Sequence, residues 1–277
     1  MVRRFLGFAT FVASLIASTS AAFAQVEDWA WGFQEAVSPI MHDISSFYDG
    51  LLVMMVGISA LVLVLMIIII VRFNRRANKE PSRTSHNTLL EIVWTTVPVL
   101  ILIAIAIPSL RLLYYEETIP EADMTLKAIG HQWYWSYEYP DHGEISFDAI
   151  MVPDDQLKEG ELRLLATDNA VVLPVDKVVR VLVTSQDVIH SWAMPAMGVK
   201  TDAVPGRINE LWLKIDTPGT YYGQCSELCG ELHGFMPIMI KAVSEEEFQA
   251  WVTETQAEFA ANNAPAISVA DNGLTGQ

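Results

Sequence analysis

Residues 51–71 read LLVMMVGISALVLVLMIIIIV and residues 92–110 read IVWTTVPVLILIAIAIPSL; neither stretch contains a charge. As α-helices they are about 31 and 28 Å long, against a hydrocarbon core of about 30 Å. They predict a two-helix transmembrane hairpin, with helices over about 48–72 and 88–113. Between the runs lie Arg72, Arg75, Arg76, Lys79 and Arg83 against the single acidic Glu80, whereas residues 27–50 hold no Lys or Arg. Cytoplasmic loops carry the excess of positive charge, so the connection is expected inside and both ends of the mature chain outside. Pro98 and Pro108 fall in the second run, where the backbone groups they free need neighbouring helices or water, an indication of surrounding subunits.

The N-terminus agrees independently with that orientation. Arg3 and Arg4 precede an uncharged run from Phe5 that finishes Ala22-Phe23-Ala24, the pattern of a secretory signal cleaved after Ala24. Residues 25–115 then form the N-terminal segment and the hairpin. Apolar residues make up 52% of the chain and charged residues 18%, yet the net charge is −16. The two properties are segregated: from Glu116 onward there are 26 acidic against 9 basic residues, a net of −17, while the first 115 residues carry +1. Such a chain lacks the basic surface that phosphate contacts require, which excludes nucleic acid as a partner. Two cysteines are too few for a disulfide scaffold.

Beyond the hairpin, short runs rich in β-branched and aromatic residues alternate with turn signals. Thr125–Ile129, Glu161–Leu165, Val178–Thr184, Glu210–Ile215 and Tyr221–Gln224 are expected strands, with breakers at Pro140–Gly143, Lys158–Gly160 and Thr217–Gly219. Residues 116–243 therefore read as an all-β sandwich or barrel. Ser244 and Glu247 have capping-box spacing ahead of Phe248, Trp251, Val252 and Phe259, so an amphipathic helix is expected over 244–260. Residues 261–277 read as a disordered tail.

Within the β region, Cys225-Ser-Glu-Leu-Cys229-Gly-Glu-Leu-His233-Gly-Phe-Met236 places two thiols, an imidazole and a thioether in twelve residues, with His190 upstream. Soft sulfur donors with imidazole favour copper over hard cations. One Cys, two His and a weak axial Met make a blue-copper set; the additional Cys would let two coppers share both sulfurs as bridges. His190 and His233 would then serve one copper each. A disulfide between the cysteines and a Cys2His2 zinc site are the competing readings, and neither accounts for Met236. His42, His86 and His142 read as ordinary surface residues and His131 as structural. In Gln132-Trp-Tyr-Trp-Ser-Tyr-Glu-Tyr139, strand alternation is expected to put Trp133, Trp135, Tyr137 and Tyr139 on one face, as packing or as an aromatic path for electrons. Glu91 stands at the start of the second span, where Thr88-Leu-Leu-Glu91 has capping-box spacing. A carboxylate at the mouth of a proton path is its other reading.

These residues carry a resemblance. From about Gly32 to Trp251 the chain resembles subunit II of bacterial cytochrome c oxidases, of the haem-copper family. The marks are Gly130-His-Gln-Trp-Tyr-Trp-Ser-Tyr-Glu-Tyr139, His190-Ser-Trp192, Lys200-Thr-Asp-Ala-Val-Pro-Gly206 and Tyr222-Gly-Gln-Cys225 through Met236-Pro237. The resemblance implies a cupredoxin-like Greek-key barrel holding the dinuclear copper centre CuA. Its implied ligands are His190, Cys225, Cys229, His233 and Met236, with Glu227 giving its backbone carbonyl to copper and its side chain to a magnesium ion at the contact with subunit I. It further implies that electrons enter at Trp133, that Glu91 opens a proton path, and that Glu138, Asp141, Glu144, Asp148 and Asp187 form an acidic docking rim.

The implied activity is transfer of electrons from cytochrome c through copper to haem in subunit I, where oxygen is reduced to water and protons are pumped. Subunits I and III, cytochrome c and membrane lipid are the implied partners. The implied location is the bacterial inner membrane, with the copper domain and both termini expected in the periplasm. A quinol oxidase subunit is a poorer match because that branch lacks the copper ligands. A copper carrier should release its metal more readily than this ligand set would, and nitrous oxide reductase lacks the hairpin.

Overall fold

The computed structural model describes residues 32–80, 82–143 and 145–262. The expected signal peptide, Glu144 and the part of the expected tail beyond Asn262 lie outside the described residues. Two long helices lead, α1 over Pro39–Arg72 and α2 over Thr88–Glu117, and a closing helix, α3, spans Glu245–Asn262 after a β domain.

α1 starts well before the apolar run because Ser38 caps it. The Ser38 Oγ accepts from the Met41 amide at 3.0 Å and donates to the Met197 carbonyl at 2.7 Å, so the helix start is tied into the β domain. Ile40 and Met41 are buried there, whereas the side chains of the apolar run point outward, Ile70 with 64% of its surface uncovered. A helix that is apolar all round and uncovered by its own chain belongs in lipid or against other subunits. α2 departs from expectation at its cap. Asn87, not Thr88, holds that position, its Oδ1 accepting from the Leu90 amide at 3.2 Å and its carbonyl from the Glu91 amide at 3.0 Å. Asn outranks Thr as a cap, and Thr88 becomes the first helical residue. Glu91 thereby lies in the first turn, where a carboxylate complements the helix dipole.

Ten strands follow among the described residues: β1 Met124–His131, β2 Tyr134–Glu138, β3 Ser146–Ala149, β4 Val171–Pro174, β5 Val178–Ser185, β6 His190–Met194, β7 Val199–Ala203, β8 Asn209–Lys214, β9 Gly219–Gln224 and β10 Pro237–Val243. They form a five-stranded sheet in the order β3-β2-β1-β5-β8, a three-stranded sheet β4-β10-β9 and a β6-β7 pair. β1 runs parallel to β5, and β4 parallel to β10, so the chain crosses between sheets rather than meandering. Residues 161–165, expected as a strand, are a turn. The Leu165 and Ala166 amides both donate to the Leu162 carbonyl, Leu164 has a left-handed φ of 64°, and Arg163 pairs with Asp154 at 2.7 Å. Local bonds take the backbone groups that a ladder would have needed.

Strand alternation builds the core. Leu126 and Ala128 of β1, Val179, Val181 and Val183 of β5, and Trp135 and Tyr137 of β2 are all fully buried. Buried Tyr139 donates to the Val172 carbonyl at 3.1 Å and accepts from the Val172 amide at 3.0 Å, joining the end of β2 to β4. Tyr139→Phe should therefore cost about 1–3 kcal/mol, because it strands two buried backbone groups without adding bulk. Thermal unfolding followed by circular dichroism checks this; an unchanged midpoint would assign Tyr139 to packing alone.

α3 begins with the expected capping box: the Glu247 amide donates to Ser244 Oγ at 3.2 Å and the Ser244 amide to Glu247 Oε2 at 3.0 Å. Its Phe248 and Val252 are buried, and Trp251 packs on Tyr139 with ring centroids 5.1 Å apart. His142 is not the ordinary surface residue expected. Its ring meets Phe248 edge-on at 5.1 Å and its carbonyl accepts from Gln256 at 2.7 Å, contacts that arise only when α3 folds back.

Candidate metal centre and the surface around it

The loop from Cys225 to Met236 joins antiparallel β9 and β10, and His190 opens β6 beside it. The Cys225 amide reaches the Met236 carbonyl at 3.4 Å and the Ser226 amide the Ser191 carbonyl at 3.0 Å, so both ends of the loop and the His190 strand are held together. Two glycines make room. A Cβ on Gly130 would lie 2.8 Å from the His190 ring, and one on Gly230, whose φ is +126°, would lie 3.0 Å from the Trp133 ring.

The donor atoms converge. Cys225 Sγ and Cys229 Sγ are 3.9 Å apart, Cys225 Sγ is 3.9 Å from His190 Nδ1, and Cys229 Sγ is 3.6 Å from His233 Nδ1. Met236 Sδ lies 3.5 Å from Cys229 Sγ, and the Glu227 carbonyl 3.4 Å from Cys225 Sγ. A disulfide needs its sulfurs at about 2.05 Å. Both cysteines are free thiols, as a shared metal site requires. The His190, Cys225 and Cys229 ligand atoms all lie within 4.8 Å of one another. Each imidazole faces a different sulfur, with the thioether on one side and a carbonyl on the other, an arrangement that fits two soft cations between the thiolates. His190, Cys225, Cys229 and Met236 are buried, while Glu227 points its side chain outward.

Burial, the largest single influence, would raise the Cys225 thiol, but hydrogen bonds with His190, the Glu227 and Ser191 backbone and His233 together outweigh it and bring the group down to about 7. Burial and the neighbouring Cys225 charge push Cys229 upward. One thiolate therefore forms first, and only a bound cation makes the second favourable.

Asp187, expected on a docking rim, has an inward task. Its carboxylate lies 2.8 Å from His190 Nε2 and accepts from the Gln132 amide at 2.6 Å and the Val188 amide at 2.6 Å. Burial, the largest single influence, opposes ionisation there, yet the hydrogen bonds from His190 and from the Val188 and Gln132 amides together prevail and hold the carboxyl below its usual range. With Nε2 engaged by Asp187, the His190 Nδ1 is directed at the sulfurs.

Sequence pattern alone missed Gln132. Its side chain donates to the Cys229 carbonyl at 2.9 Å, clasping the loop from the aromatic segment. Trp133 is likewise not part of the strand face on which alternation placed it. It precedes β2, in a turn, and leans on Gly230 of the loop while Trp135, Tyr137 and Tyr139 fill the core. The strand starts one residue later than the aromatic run, so Trp133 escapes its alternation. Glu138 and Asp148 face outward on the β2–β3 ladder, Glu138 paired with Lys127 at 2.9 Å and Asp148 accepting from Ser136 at 2.5 Å. His131 completes that surface, stacked on Tyr134 and 3.0 Å from Ser136. Glu91 lies on α2, in a part of the chain separate from this cluster.

A two-helix membrane anchor carrying a β domain with a buried two-thiol, imidazole and thioether cluster defines a membrane protein with a soft-metal site. The profile described as cytochrome c oxidase subunit II, periplasmic domain, matches residues 124–243, and that described as its transmembrane domain matches residues 26–112. The chain belongs to the cytochrome c oxidase subunit II family, and is thereby a component of a haem-copper terminal oxidase. Relatives include a probable cytochrome c oxidase subunit 2 of Rickettsia bellii, 51% identical over 81% of this chain and 83% of the relative. Cytochrome c oxidase subunit 2 of Oenothera berteroana is 47% identical over 82% of this chain and 90% of the relative. The solved periplasmic domain of subunit II of the Bradyrhizobium japonicum oxidase is 55% identical, aligning with 52% of this chain and 100% of that domain at a TM-score of 0.48.

Proposed function

We propose that this subunit receives electrons from cytochrome c at its β domain and passes them to haem in subunit I for the reduction of oxygen to water, coupled to proton pumping. The pairing of each imidazole with a different free thiol across a 3.9 Å sulfur separation carries the reading. Cys225 and Cys229 would bridge two copper ions, His190 and His233 would bind one each, and Met236 and the Glu227 carbonyl would complete the set. When bound, such a pair supplies one-electron chemistry with its charge shared between two metals. The protein's part is to hold those donors rigid and dry. Asp187 aims His190, Gln132 clasps the Cys229 carbonyl, and the buried aromatic core behind them excludes water. Trp133, resting on the loop, is where electrons would enter. The outward Glu227 side chain would take a magnesium ion at the subunit I contact, and Glu91 would stand at the mouth of a proton path.

The basic loop after α1 supports an orientation with that loop in the cytoplasm and the β domain in the periplasm of a bacterial inner membrane, following removal of residues 1–24. Subunit III would complete the complex. Electron paramagnetic resonance of the oxidised copper-loaded protein tests the central reading. The expected signal is hyperfine coupling to two copper nuclei; one copper per chain, or coupling to a single nucleus, overturns it.

Docking follows from the same surface. Glu138 and Asp148 would attract a basic cytochrome c, with an attraction screened over about 8 Å at physiological ionic strength. Neutralising both should lower the association rate by about tenfold at low salt and flatten its salt dependence. Electron passage beyond copper should be unchanged. Glu245 and Glu246, at the exposed start of α3, are the control pair, and an equal effect there would refute a localised face. Asp187→Asn should instead alter the copper spectrum, because Asp187 acts on His190.

A further inference from the structure

The hairpin carries a groove that the copper reading does not use. It opens between α1 and α2 at the end nearest the β domain and encloses about 680 Å³. Its deeper wall is apolar, formed by Leu51, Met54, Ala104 and Ile105, and these belong to the uncharged runs that cross the hydrocarbon core. Small side chains keep it open: Ala104 is one, and Gly50, also in the wall, has nothing within 4 Å of where a Cβ would stand. Its upper wall holds two opposite charges, Asp43 of α1 and Arg111 of α2. Neither has an ion-pair partner among the described residues. They do not neutralise each other, so each is available to a charge brought by an occupant.

Their heights differ in an informative way. Arg111 directly follows the second uncharged run, at the boundary of the hydrocarbon core, whereas Asp43 precedes the first run by eight residues, about 12 Å along a helix. The cation therefore lies deeper than the anion. A phosphoethanolamine headgroup is built in the same order, with its phosphate next to the acyl chains and its primary ammonium outermost. We propose that the groove binds one molecule of an aminophospholipid with a phosphoethanolamine headgroup: an acyl chain along the apolar wall, the phosphate at Arg111 and the ammonium at Asp43. A choline headgroup presents no N–H to Asp43, and a glycerol headgroup presents no cation. The inference rests on the membrane hairpin alone and is independent of the copper chemistry.

Native mass spectrometry of the full-length protein tests it, after equilibration in detergent with equal amounts of phosphatidylethanolamine, phosphatidylcholine and phosphatidylglycerol. The expected result is retention of one phosphatidylethanolamine in preference to the others. Arg111→Gln and Asp43→Asn should each reduce that retention by about fivefold, the scale of one interfacial charge contact. Ala104→Phe, which fills the apolar wall, should abolish it. The visible copper spectrum of each variant reports whether its β domain has folded. Equal retention of the three lipids, or retention indifferent to both charge substitutions, overturns the proposal. A photoreactive phosphatidylethanolamine in the assembled wild-type oxidase supplies a reading free of variants. Cross-linking to residues 104–112 is expected. Cross-links confined to other lipid-facing surfaces would mean that a partner helix fills the groove, and would refute lipid binding there.

Discussion

Protein carrying Cys229→Ser is expected to lose its copper, while protein carrying Met236→Leu keeps it. Cys229 lies at the meeting point of the cluster, 3.9 Å from Cys225 Sγ, 3.6 Å from His233 Nδ1 and 3.5 Å from Met236 Sδ. A hydroxyl there removes a thiolate that two metals would share, and a soft site without its soft bridge no longer holds its metals. Loss of a mere supporting contact around a metal typically costs about 10–100-fold in affinity, so loss of the bridge should exceed that. Met236 is a weak donor at one side. Leucine nearly preserves its volume in a position that is 1% exposed, so packing survives and the change falls on the reduction potential. Copper per chain, measured with the potential and the visible spectrum, distinguishes the two. Equal copper loss from both substitutions would mean that the thioether is a principal ligand and that the proposed ranking fails.

The second large effect is expected at Trp133. Trp133→Phe should slow electron arrival from cytochrome c by about tenfold or more, equivalent to about 1.4 kcal/mol or more on the barrier. The copper spectrum and the docking affinity should stay close to those of the unaltered protein. The indole lies against Gly230 of the metal loop and outside the alternating face that fills the core, half-buried against the edge of that core, so it bridges surface and cluster. Stopped-flow reduction at several cytochrome c concentrations separates arrival from docking. Should the melting temperature fall as far as the rate, Trp133 would be a packing residue. Trp135 provides the comparison: it is fully buried, edge-on to His190 with ring centroids 6.0 Å apart, and its replacement should destabilise the domain.

Much of this protein is legible in its sequence because the relevant physics is local or periodic. A helix in lipid must be apolar over its whole length, so residues 51–71 and 92–110 identify themselves without any knowledge of partners. Pleat alternation placed β1, β5, β8 and β9 close to their observed limits, and the capping box at Ser244 and Glu247 started α3 where expected. The donor types in Cys225 to Met236 named a soft metal from twelve consecutive residues. Where two local choices competed, the reading slipped: Asn87 took the cap from Thr88, and Leu162 to Ala166 turned back on themselves instead of pairing.

What only the tertiary structure decided is how distant segments share atoms. Asp187 stands three residues before His190, but that order alone does not show that it holds His190 Nε2 while binding the Gln132 amide 55 positions away. Gln132 reaches a carbonyl 97 residues along the chain, and His142 is covered by a helix more than 100 residues later. A hydrogen bond or a ring contact depends on angstroms, whereas sequence records only order and side-chain type. The element pattern was therefore determined by the sequence, and the tertiary fold alone decided which carboxylate faces solvent and which one aims a metal ligand.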